Sequence, residues 1–102
     1  MSYKTFGEEF SDFLKKNHMT CNAVGNAINV PANRISDIVR NRRGVTAETS
    51  FLLGRLFEME ADHFIRRYNS YLILQELESR FEKGEVSKEY LDHFRTANEW
   101  SS

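Results

Sequence analysis

The chain has 102 residues, 40% of them hydrophobic and 28% charged, with a formal net charge of −1. This is one domain's worth of sequence, with enough apolar residues for a core that needs no disulfide or metal staple. The single cysteine excludes an intrachain disulfide and fits a reducing cytoplasm. No apolar run approaches the ~20 residues of a membrane helix, and no basic-then-apolar secretion leader opens the chain.

Six helices and no strands are expected. The first spans about Phe6 to Asn17, with Phe6, Phe10, Phe13 and Leu14 on one face. Thr5 and Glu8 have the spacing of a capping box at its start. Thr20 can cap a second, short helix in which Val24, Ala27 and Ile28 recur at i, i+3, i+4. Asn29 sits where the chain must turn, and asparagine tolerates the left-handed conformation. Pro31 suits the first turn of a third helix, where no amide hydrogen is needed. There Ile35, Ile38 and Val39 face inward and, at about 100° per residue, Asn33, Asp37 and Arg40 point the other way, flanked by Arg34 and Ser36.

A fourth helix runs from Ala47 to about Phe57, capped by Thr46, with Leu52, Leu53, Leu56 and Phe57 inward. Glu48 near its start suits the helix dipole. The fifth begins near Ala61 and reaches about Phe81, with Gly84 ending it. Phe64, Ile65, Tyr68, Tyr71, Leu72 and Leu77 give it an apolar surface wider than one face. A sixth helix follows Ser87, with Tyr90, Leu91, Phe94 and Ala97 as its stripe, and Glu99 to Ser102 are expected to fray. The reading is a helix-turn-helix domain over residues 1–76 and a helical extension over 77–102, both within one compact unit.

Enzyme chemistry finds little support. His18, His63 and His93 are isolated and lack metal-ligand spacing. A lone Cys21 in a short helix is more often packing than nucleophile. There is no phosphate-binding glycine loop, and Glu58, Glu60 and Asp62 are explained by a helix start. No cofactor and no metal are expected.

The second and third helices are the informative pair. Two helices joined by a tight turn, the second polar on one side, form the helix-turn-helix pattern, whose second helix enters the DNA major groove. A polar face opposite an apolar stripe is also what any surface helix shows. The turn chemistry and the charge distribution favour DNA. Pro31 to Thr46 hold four arginines against one aspartate, whereas the chain from Glu76 onward holds seven acids against four bases. Phosphate attraction is local, so the patch matters more than the net charge.

The segment VPANRISDIVRNRRGVTAETSFLLGRLF, residues 30 to 57, resembles the Xre-type helix-turn-helix repressors, and among them the HigA-type antitoxins. The family pattern is a valine-proline turn, an Asn-Arg-Ile-Ser recognition helix, a basic-Gly-Ile/Val-Thr loop and a further helix. Residues 6 to about 75 are in register, including the Gly7-Glu8 start. The resemblance implies an all-α, lambda-repressor-like domain of five helices, here with an additional C-terminal helix. It also implies a cytoplasmic antitoxin that represses its own operon and neutralises a RelE-like ribonuclease. In this register Ala32, Asn33, Arg34, Ser36 and Asp37 would read base edges, and Thr20, Asn22, Arg40, Arg42 and Arg43 would meet phosphates. The family usually has Gln at Cys21, Ala at Gly25, Gly at Asn29 and Asn41, and Trp at Ile65.

Three further expectations follow. The surplus apolar face of helix 5, at Tyr71, Leu74 and Leu77, would form a homodimer that reads an inverted repeat in double-stranded operator DNA. Helix 6 would offer a basic toxin Glu89, Asp92 and Glu99 beside Tyr90 and Phe94. Helix 1, through Glu8, Glu9 and Asp12, is the rival docking surface. Two alternatives stand beside the antitoxin reading: a phage-type or autonomous Xre regulator without a toxin, and an interaction module that has lost DNA binding, favoured by Asp37 and Cys21.

Overall fold

A computed structural model describes residues 4–98. Its elements are α1 (Phe6–Lys16), α2 (Cys21–Ile28), α3 (Ala32–Val39), α4 (Ala47–Phe57), α5 (His63–Glu82) and α6 (Lys88–Ala97), and no strand occurs among the described residues. The helix boundaries follow local chemistry. Thr5, Thr20, Thr46 and Ser87 sit in extended conformation at the N-caps of α1, α2, α4 and α6, each side chain accepting a first-turn amide. At α1 the capping box is complete, because Glu8 accepts in turn from the Thr5 amide at 2.9 Å. Pro31 stands one position earlier than expected, as the N-cap of α3 with φ −60°, where its ring fixes the entry to the helix.

α1 packs across α3 and α5, α2 lies against α3 and α4, and α4 packs on α5. The core between them joins Phe6, Phe10 and Leu14 of α1 to Val24, Ile35, Ile38, Leu53 and Phe64, all nearly inaccessible to water. Aromatic edges hold α1 to the later helices: Phe10 meets Phe64 of α5 at 5.8 Å and Phe13 meets Phe57, the last residue of α4, at 4.8 Å between ring centroids, in T-shaped geometry. Val24 and Ile28 face inward as expected, but Ala27 is exposed.

Among the described helices α6 packs on α5 alone. Leu91 is its buried anchor, and Phe94 packs against the core from a half-buried position. Arg95 pairs with Glu78, and the end of α6 is tied back where Asn98 O accepts from Arg67 at 2.7 Å and Asn98 Oδ1 accepts from Ser70 at 3.0 Å. Tyr90 and Ala97 do not belong to the packed stripe, since both are exposed. Glu99 to Ser102 lie outside the described residues.

The main correction concerns α5. Tyr71 is 7% and Leu74 0% exposed within the single chain. These two side chains are therefore core, covered by the chain's own helices, and are not a free face for a partner. Leu77 is half-buried. The apolar groups that α5 leaves open are Leu72, Ile73 and Phe81. At helical spacing Ile73, Leu77 and Phe81 fall at i, i+4 and i+8, so they line one edge of α5.

Among the described residues no helix is long and apolar enough to cross a membrane, and no group of three or more His, Cys, Asp and Glu side chains could hold a metal ion.

Candidate nucleic-acid interface

The interface is built by α2, the turn after it and α3. α2 ends at Asn29, whose φ of 62° and ψ of 45° place it in the left-handed region. The Val30 amide then donates to Gly25 O at 2.9 Å and reverses the chain. Gly25 makes this closeness possible, because a Cβ there would lie 2.8 Å from the Val30 carbonyl oxygen. Ile35 and Ile38, at 0% and 1% exposure, anchor α3 from below. The opposite face of the helix is therefore fixed in direction.

On that outer side Ala32, Asn33 and Ser36 of α3 join Thr20, Cys21 and Asn22 at the start of α2 around one shallow groove of about 330 Å³. Asn33 and Asn22 are exposed, while Ala32, Ser36 and Cys21 are half-buried. Arg34 and Asp37 are half-buried on α3 and do not line this groove. The Thr20 hydroxyl oxygen accepts from the Ala23 amide at 3.0 Å, which leaves its own hydrogen available to an acceptor outside.

α3 closes in a Schellman turn. The Asn41 amide donates to Ile38 O at 3.1 Å and the Arg42 amide to Asp37 O at 2.8 Å, with Asn41 at φ 61°. Arg40, Arg42 and Arg43 project from this turn and are exposed. Among the described residues none of Arg34, Arg40, Arg42 and Arg43 forms an ion pair. Arg66, Arg67, Arg80, Lys88 and Arg95, by contrast, all pair with carboxylates on or beside α5 and α6. The cations of the turn are thus open to an external anion, whereas those five are neutralised internally.

The same accounting thins the acidic surfaces. Along α5 and α6, Glu76 and Glu85 pair with Arg80, Glu78 with Arg95, and Asp92 with Lys88. Glu89 remains exposed beside Tyr90, itself 59% exposed. On α1, Glu8 serves the capping box, Glu9 forms a two-pronged pair with Arg67 at 2.7 and 3.0 Å, and Asp12 pairs with Lys4. Of the acids expected to face a toxin, only Glu89 is both exposed and outside an ion pair or cap among the described residues; Glu99 lies outside them.

Cys21, at the position where the family resemblance has glutamine, lines the groove. One contribution was not anticipated from the sequence. Asn41 does more than turn the chain: its Oδ1 accepts from the Gly7 amide and its Nδ2 donates to Thr5 Oγ1, both at 2.9 Å.

Known proteins share this arrangement. The antitoxin HigA of Pseudomonas aeruginosa, solved with the higBA promoter, matches with a TM-score of 0.68 and 25% identity over 83% of this chain and 96% of that one. The chain has the HigA-type helix-turn-helix fold. A second Pseudomonas aeruginosa protein, solved with 28-bp operator DNA, matches at TM-score 0.70 and 27% identity over 78% of this chain and 89% of that one. An addiction-module antidote protein of the HigA family from Coxiella burnetii shares the fold at TM-score 0.71 and 24% identity, over 85% and 98% of the two chains. Two of the three hold promoter or operator DNA, and two are an antitoxin and an antidote protein. In sequence, virulence-associated protein I of Dichelobacter nodosus is 33% identical over 60 residues, 59% of this chain. The match spans 56% of that relative, a little over half its length. No protein-family model matches the chain.

Proposed function

We propose that this protein is a sequence-specific DNA-binding antitoxin that represses its own operon. The observation that carries the reading is the set of four arginines on and beyond α3, none of them in an ion pair among the described residues, beside an exposed Asn33. Solved proteins of the same fold hold promoter or operator DNA. In this reading Asn33 bonds an adenine edge, Ala32 touches a thymine methyl, Ser36 and Arg34 supply further donors, and Asp37 accepts from cytosine. Thr20, Asn22, Arg40, Arg42 and Arg43 meet phosphates. Two copies joined along the Ile73–Leu77–Phe81 edge of α5 would read an inverted repeat.

The toxin is the finer part of the proposal. A RelE-like ribonuclease must bind RNA and is accordingly basic, so it suits the open Glu89 and Tyr90 of α6. The test is titration of the chain against its own upstream promoter and against random duplex. Selective binding that Asn33→Ala abolishes supports the reading. Equal affinity for both duplexes in parent and variant overturns it.

A further inference from the structure

Asn41 occupies the C′ position of the Schellman turn, in the left-handed region where glycine is the residue of least strain. Glycine would serve the backbone at least as well. What asparagine adds is a side chain, and that side chain is fully engaged. It spans to the first turn of α1, accepting from the Gly7 amide and donating to the Thr5 hydroxyl oxygen, which also caps α1. The approach is close on both sides: a Cβ on Gly7 would lie 2.1 Å from the Val39 carbonyl oxygen and 2.9 Å from Asn41 Nδ2. The start of α1 and the end of α3 are therefore built around one another.

Resting on the DNA-binding reading above, we infer that Asn41 is a positioning residue for phosphate recognition. Its clasp holds the turn carrying Arg40, Arg42 and Arg43 at a fixed height against the start of α1. The three arginine side chains are long and exposed, and among the described residues no ion pair fixes the direction in which they leave the backbone. α1 is in turn seated on α5 through the Glu9–Arg67 pair and the Phe10–Phe64 contact. Without the clasp the Schellman hydrogen bonds remain, but the turn can pivot about Arg40 and the cations lose their common register on the phosphate backbone. Each phosphate neutralised releases counterions, so an arginine that no longer reaches its phosphate makes the salt slope shallower.

The test is Asn41→Gly, which keeps the left-handed turn and removes only the side chain. Binding to a labelled random duplex of about 30 bp, followed from roughly 50 to 200 mM salt, reads the phosphate contacts without needing the operator sequence. The expected result is a loss of about threefold to tenfold in affinity at the low-salt end and a shallower salt slope, read well below a thermal midpoint that falls by a few degrees with the loss of the Gly7 amide's acceptor while helix content is kept. Amide exchange supplies the second reading: the Gly7 amide, protected in the parent, should exchange freely in the variant. A parental affinity and slope in Asn41→Gly, in a series where Arg42→Ala does lower the slope, overturns the positioning role and leaves the DNA reading standing. A parent that does not bind the duplex overturns both.

Discussion

Ser50 Oγ accepts from the Ile65 amide at 3.1 Å and donates to the Ala61 carbonyl at 2.7 Å. α4 thereby caps α5, whose own N-cap residue, Asp62, makes no side-chain cap bond. Ser50 is 1% exposed, so neither group has water as a substitute. Ser50→Ala leaves the Ile65 amide without its side-chain acceptor and the cap lost, at a cost of about 1–3 kcal/mol. Urea unfolding should show a lower midpoint with an unchanged slope. An unchanged midpoint would mean that the first turn of α5 finds another acceptor.

The arginines of the turn make a contrast testable within one titration. Arg42→Ala or Arg43→Ala should weaken binding to every duplex alike and reduce the salt slope by about one unit. Asn33→Ala should cost about 1–3 kcal/mol on the preferred site only. If the arginine variants alter sequence preference, or Asn33→Ala weakens random duplex equally, the two roles are wrongly divided.

Much of this was legible in the sequence. Caps at Thr5, Thr20, Thr46 and Ser87 and the i, i+3, i+4 recurrences place five of the six helices within a residue or two. These signals are local, and helix formation responds to local chemistry. What was not legible depends on partners far along the chain. Ser50 is an ordinary serine in mid-helix until α5 is laid beside it, 15 residues on. Asn41 is a turn asparagine until Gly7 arrives from 34 residues upstream. Tyr71 and Leu74 looked like surplus because α5 is apolar on several sides, and periodicity cannot tell which side α6 will cover. At the interface, the periodicity of α3 sorted Asn33 from Ile35 and Ile38, but the ion pairs that neutralise α5 and α6 while leaving the turn open could not be read without the fold.

That ambiguity on α5 gives a sharp pair of substitutions. Leu74→Glu puts a charge into a fully buried site, which costs several kcal/mol and should unfold the chain. Ile73→Glu places the same charge at a half-exposed position on the Ile73–Leu77–Phe81 edge. It should leave helix content and thermal midpoint of the isolated chain close to parental and convert a dimer into a monomer by light scattering at tens of micromolar. A parent that is already monomeric there, or an Ile73→Glu protein that remains dimeric, removes this edge as the assembly surface.

His63 provides a pH signature. Burial first, then the neighbouring Arg66 and Arg67, hold its imidazole below the ordinary value of 6.5, against the weaker opposite pull of Glu9 and Asp62. Its ring stands edge-on to Phe64 at 5.0 Å. In the unfolded chain the same histidine takes its proton near 6.5. As the pH falls through that value the unfolded state binds the proton first, so the folded state loses stability, and the loss is complete once pH passes below the depressed folded value. Urea midpoints between about pH 7.5 and 5 should therefore decline in the parent and decline less in His63→Gln. Parallel curves for the two proteins would show that the carboxylates, not His63, set the acid sensitivity.

The last prediction concerns the proposed toxin. Ion pairs engage Glu76, Glu78, Glu85 and Asp92 within the chain, and Tyr90 stands 59% exposed at the first turn of α6, one residue from the open Glu89. An exposed tyrosine beside an unpaired acid is the kind of anchor that dominates an interface once covered, and truncating such an anchor costs about 2 kcal/mol or more of binding. Leu91, one position further, is core, so removing α6 altogether would confuse loss of a docking surface with loss of packing on α5. Tyr90→Ala avoids this, because the side chain contributes little to the folded chain. With the adjacent toxin-like gene product co-expressed, Tyr90→Ala should weaken complex formation roughly thirtyfold or more while operator binding stays parental. Full neutralisation by Tyr90→Ala and by the double variant with Glu89→Gln would exclude α6 as the docking element. α1 would then be the surface to test, where Glu9 is paired with Arg67 and Asp12 with Lys4 and docking would have to compete with both ion pairs.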